Sequence, residues 1–126
     1  MAADAGDLWG HFALGRFYLR QKRYREARET YAIPAAAEYG PALHDMGKIY
    51  LLGLGVEKDI EKAKSYYERA TKAGNLFAKA HLARLLMRHA TSMKSKIRGY
   101  LLLLGAMLEL FPVLIREGFK SRRLIE

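Results

Sequence analysis

Small and large apolar positions recur along this chain at a spacing in the mid-thirties. Ala27, Ala63 and Gly99 lie 36 residues apart and are all small. Tyr31, Tyr67 and Leu103 keep the same spacing and are all large, and Ala70 and Ala106 are small again. A second set interleaves with the first. Gly15, Gly47 and Ala83 are spaced by 32 and 36 residues, each preceded by a large apolar residue, Leu14, Met46 or Leu82. Ala42 pairs with Ala78 at 36, and Tyr18 with Tyr50 at 32. Small residues at fixed rungs let helices approach closely, and large ones fill the gaps between layers. The pattern predicts an all-α fold: a short right-handed α/α solenoid of about three helical hairpins, ending in a hydrophobic C-terminal helix.

Turn residues place the boundaries. Gly53 and Gly55 suit a helix end that needs positive φ. Asp59 is an N-cap candidate for the following helix, and Gly74 stands where a C′ glycine belongs. Gly40 is expected to play the part of Gly74 one repeat earlier, with Pro41 in the first turn of the next helix. The hairpins are then 8–20 with 24–39, 41–52 with 59–73, and 76–90 with 94–117. They form repeats of about 8–40, 41–75 and 76–117 within one domain, 1–126. Pro34 predicts a kink or break near Ile33, since proline removes a helical hydrogen bond and crowds the preceding turn.

The residues Ala42, Met46-Gly47, Tyr50, Gly53-x-Gly55-Val56-x-Lys58-Asp59, Lys62-Ala63, Tyr66-Tyr67, Ala70 and Gly74 resemble the Sel-one-like repeat, a cousin of the tetratricopeptide repeat. The resemblance is close over 42–74. In the first repeat the glycine loop is replaced by a shorter tetratricopeptide-type turn, and the third repeat loses both the loop and the tyrosine pair. The resemblance implies a non-catalytic adaptor or scaffold that holds other proteins, and it carries no catalytic residues.

Composition adds limits. With 51% apolar residues the chain is globular, and with no cysteine it forms no disulfide, so a reducing compartment is expected. The start, MAADAGDLWGHF, lacks the basic-then-apolar pattern of a signal peptide, which points to the cytoplasm. His11, His44, His81 and His89 fall on unequal rungs, with no carboxylate expected beside them at ligand spacing. No metal, cofactor or enzymatic activity is therefore expected. Trp9, where the first helix begins, reads as a cap over the core rather than a binding residue.

The net charge of +9 is lopsided: residues 79–126 hold 10 Lys/Arg against three Glu. Such an excess suits an anionic partner. Nucleic acid is disfavoured, because the basic residues bring no recognition motif or aromatic stacking platform. When the first helices of the repeats are aligned, Arg16, Lys48 and Arg84 share a rung, and Arg20 and Arg88 share another one turn on. On a concave face these would form a basic ladder for an acidic protein segment.

The last helix carries YLLLLGAMLELFPVLI over 100–115. Its polar stripe is thin: Arg98, Gly105, Glu109, Pro112 and Arg116. At 1.5 Å per residue the segment spans about 24 Å, short of the roughly 30 Å of a bilayer core. An exposed surface of Leu101, Leu104, Leu108, Phe111, Leu114 and Ile115 would need cover from another protein, from a second copy in a homo-oligomer, or from a membrane. Lys94, Lys96, Arg98, Arg116, Lys120, Arg122 and Arg123 flank it and suit anionic headgroups. The sequence thus points to a protein-binding adaptor using its concave face and its last helix. The alternative is a peripheral membrane protein, docked by that helix at the inner face of a membrane.

Overall fold

A computed structural model describes residues 5–123. They form six helices, with no strand among the described residues. The helices are α1 (Ala5–Arg20), α2 (Tyr24–Ala36), α3 (Gly40–Leu52), α4 (Ile60–Lys72), α5 (Leu76–Arg88) and α6 (Met93–Arg123). The chain divides into two compact units, one up to Ala78 and one from Lys79, so the division falls inside α5.

In the first unit α1 packs on α2 and α3 on α4, and α2 joins the two hairpins by packing on α3. Many of the rungs read from the sequence form its core: Ala27, Tyr31, Ala42, Met46, Ala63, Tyr67 and Ala70 are all buried. The small rungs make room for the large ones. A Cβ added at Gly15 would stand 2.6 Å from the Tyr31 ring, and one at Gly47 would stand 2.9 Å from the Tyr67 ring. Each hairpin therefore seats one tyrosine of its second helix in a glycine gap on its first.

The loop after α3 behaves as its residues require. Gly53 and Gly55 adopt positive φ, where a glycine has no Cβ to clash. Gly55 also lies against Tyr24 of α2, where a Cβ would come within 2.6 Å. The Asp59 carboxylate accepts from the Lys62 N–H and caps α4. Gly74 closes α4 in the left-handed region, with Asn75 N–H donating back to the Ala70 carbonyl.

The first repeat differs from expectation in two places. The left-handed residue after α2 is Glu38, at φ 55°, whereas Gly40 already begins α3. A Cβ added at Gly40 would stand 3.5 Å from the side chains of Ala73 and Asn75. The expected break near Ile33 is absent as a helix end. α2 runs through the buried Pro34 to Ala36, and the Pro34 carbonyl is used by the Tyr39 N–H.

In the second unit α6 docks on α5 through its own small rung. A Cβ on Gly99 would come 2.7 Å from Met87 and 3.0 Å from the Ala83 carbonyl oxygen. Further along, Lys79 of α5 pairs with Glu109 of α6.

Candidate functional site

The residues of the expected basic ladder lie in both units. Arg16, Arg20 and Lys48 are exposed in the first unit, and Arg84 and Arg88 are exposed in the second. Arg16 is already engaged. Its Nε lies 3.9 Å from the Asp45 carboxylate, and its guanidinium stands over the Phe12 ring at 5.7 Å.

Asp45 is the feature that the sequence reading missed. It is a buried carboxylate between the two hairpins, and it accepts from the Tyr31 hydroxyl at 2.8 Å. His44 Nδ1 lies 3.1 Å from its other oxygen, so this histidine does have a carboxylate beside it. Burial, and then the Asp45 charge, push the Tyr31 phenol well above its ordinary range. The same causes push Tyr67 up to about 12. The neutral Tyr31 hydroxyl thus donates to Asp45 and ties α2 to α3.

The remaining aromatic rungs are more open. Tyr18 and Tyr50 are half-buried, with Arg23 over the first ring and Lys62 over the second. Tyr50 stacks on Tyr66 at 5.7 Å, and Arg69 covers Tyr66. Trp9 is 62% exposed, so it does not serve as the expected cap over the core.

The largest exposed apolar surface among the described residues is on α6. Leu101, Leu104, Leu108, Phe111, Leu114 and Ile115 are all exposed, as expected, and Ile97, Tyr100 and Met107 join them. At 3.6 residues per turn these nine positions cover an arc of about 140°. Gly99 and the buried Ala106 lie on the other side of the helix, toward α5. Gly99 and Ala106 thus face α5 while the opposite apolar side is open, and Met93 and Val113 are exposed as well. The helix is also longer than its apolar segment. Met93–Glu117 spans 25 residues and holds a stretch long and apolar enough to cross a membrane by length and composition, with 11% of that stretch buried. The 24 Å shortfall drawn from residues 100–115 therefore does not describe the helix. Of the flanking cations, Lys94, Lys96, Arg98 and Arg116 are exposed, whereas the side chains of Lys120, Arg122 and Arg123 lie outside the described set.

Residues 40–75, which hold α3, the glycine loop and α4, match the family model of the Sel1 repeat. This 36-residue stretch is similar to a Sel1 repeat. Sel1 repeats generally mediate protein–protein interaction, and the family is typically a non-catalytic scaffold. An uncharacterized protein of Neisseria meningitidis serogroup B is 40% identical over 81 residues, which cover 61% of this chain. Those residues are 17% of that protein, so the chain spans a small part of its relative's length. Within this frame, the conserved-looking residues of the Sel1 repeat are accounted for by stacking: Gly47 by Tyr67, Gly55 by Tyr24, Asp59 by the α4 cap. The open face of α6 has no such account.

Proposed function

We propose that this chain is a non-catalytic protein-interaction module in which Sel1-type hairpins form the scaffold and the outer face of α6 binds a partner protein. The observation that carries the reading is that face: nine large apolar side chains, each about half or more exposed, on a helix whose Gly99 and Ala106 face α5. Apolar patches of this kind mark interaction sites. The exposed Arg16, Arg20 and Lys48 give the first unit a basic surface suited to an acidic segment of the same partner.

The test is capture from an extract of the source cells by wild type and by Leu104→Glu/Phe111→Glu, with circular dichroism confirming that the variant folds. Both residues are exposed, so the fold should survive. A partner held by wild type and lost by the variant supports the reading. A partner held equally by both contradicts it.

A second reading is favoured by one observation. The exposed cations Lys94, Lys96 and Arg98 precede the apolar face and Arg116 follows it, the pattern of a helix lying on an anionic bilayer. This would place the protein at the inner face of a membrane. Flotation with vesicles of neutral and of anionic lipid tests it. Binding to anionic vesicles that falls with added salt supports it, and the absence of binding to either kind counts against it.

A further inference from the structure

The repeat register shows a second uncovered surface, on α1. Gly10, Leu14 and Phe17 stand 32 residues before Ala42, Met46 and Ile49, the same offset that relates Gly15 to Gly47. In α3 this face is closed: Ala42, Met46 and Ile49 are 0%, 6% and 0% exposed. It meets the preceding hairpin, because Asp45, on the same side of α3, bonds Tyr31 of α2. In α1 the equivalent face is open. Leu14 is 44% and Phe17 48% exposed, and a Cβ on Gly10 would meet nothing within 4 Å. Among the described residues, α1 therefore presents as an exposed face the surface on which α3 receives α2.

What would fit there is an α2-type helix, and this chain contains one with the matching side free. α6 continues the register of α2: Ala27 leads through Ala63 to Gly99, and Tyr31 through Tyr67 to Leu103. In α2 the side that meets α3 is the side of Tyr31. In α6, Tyr100 and Met107 stand on the rungs of Arg28 and the buried Ala35 of α2, with Leu104 and Phe111 beside them, and all four are exposed. Charge agrees with this pairing. Residues 1–15 contain Asp4 and Asp7 and no Lys or Arg, whereas residues 116–123 contain four Lys/Arg and one Glu. α2 and α3 are joined by three residues and run antiparallel. The same arrangement between copies brings the basic end of α6 to the acidic start of α1.

We infer that two copies of this chain associate head to tail, the outer face of α6 of one copy seated on the Gly10–Leu14–Phe17 face of α1 of the next. The inference rests on reading the α6 face as a protein interface and names its occupant. Such a contact is heterologous: each copy uses two different surfaces.

Sedimentation velocity of two face variants tests it. Leu14→Glu/Phe17→Glu spoils the α1 face, and Leu104→Glu/Met107→Glu spoils the α6 face. Wild type should associate as its concentration rises. Each variant alone should be monomeric, with association weakened at least about 100-fold. Their 1:1 mixture should form a dimer, because one copy keeps its α1 face and the other its α6 face. A wild type that stays monomeric, or a mixture that does, overturns the inference. So does an α1 variant that associates like wild type while the α6 variant is monomeric; α6 then pairs with itself, and its reading as an interface survives. A gentler variant pair guards against misfolding. The chain has no cysteine, so Leu14→Cys and Met107→Cys can be joined by a short bis-maleimide. Cross-linking between the two variants, with neither linked to itself, is expected. Equal self-linking of Met107→Cys contradicts the head-to-tail arrangement.

Discussion

Alanine at Gly15 should destabilise the protein, although alanine in a helix normally stabilises it. The added Cβ would stand 2.6, 2.7 and 3.0 Å from three carbons of the Tyr31 ring. Unstrained carbon contacts are about 3.5–4.0 Å, so the overlap approaches an ångström. Tyr31 has little freedom to retreat: it is fully buried, and its hydroxyl is held by Asp45. Overpacking of this kind costs about 1–3 kcal/mol, and replacing a mid-helix glycine by alanine returns about 1 kcal/mol. The net expectation is a loss of up to about 2 kcal/mol, read as a lower midpoint in urea followed by circular dichroism. Gly10, in the same helix, is the control. Nothing lies within 4 Å of a Cβ there, so Gly10→Ala should gain up to about 1 kcal/mol at concentrations where the protein is monomeric. If Gly15→Ala stabilised the protein as much as Gly10→Ala, tyrosine rings would not fill the glycine gaps, and the repeat register would lose its physical basis.

Three further outcomes follow from the first unit. Tyr31→Phe removes a hydrogen bond to a buried carboxylate and should cost about 1.5–3 kcal/mol in the same urea experiment. Asp59→Ala removes the α4 cap and should cost about 1 kcal/mol, with a matching fall in thermal midpoint. The hydrogen bond from Arg69 holds the Glu38 carboxyl below its usual 4.5. A lowered folded-state pKa gives stability that is complete above the unfolded value and disappears as pH falls through the folded one. The stability advantage of wild type over Glu38→Gln should therefore be constant near neutrality, shrink in acid and weaken with salt; an advantage that grew in acid would contradict the pairing.

The architecture was legible because it is written in local chemistry. Gly53, Gly55, Asp59 and Gly74 each meet a backbone need within a few residues, and the glycine–tyrosine rungs repeat that logic at a fixed period. The failures arose where packing decides. Gly40 looked like the helix-ending glycine, but Glu38 takes the left-handed turn two residues earlier, because α2 runs through Pro34 and ends at Ala36. Asp45 does not stand out in the sequence, since its partner Tyr31 lies 14 residues back and meets it only when α2 packs on α3. A shared rung likewise does not reveal that Arg16 lies beside Asp45 and over Phe12. On α6 the six expected apolar residues are exposed, yet Ile97, Tyr100 and Met107 were missed. Which side of so apolar a helix is free depends on where Gly99 and Ala106 meet α5.

The most direct test of the central claim is the affinity of a captured partner for wild type, Leu104→Glu/Phe111→Glu and Lys48→Glu, measured side by side by titration calorimetry. Removing a buried Leu or Phe from an interface forfeits about 1.5–3 kcal/mol, and each 1.4 kcal/mol is tenfold in affinity. The α6 variant should bind at least about 100-fold more weakly, and Lys48→Glu should lose much less. Undiminished binding by the α6 variant would contradict the assignment of α6 as the interaction surface.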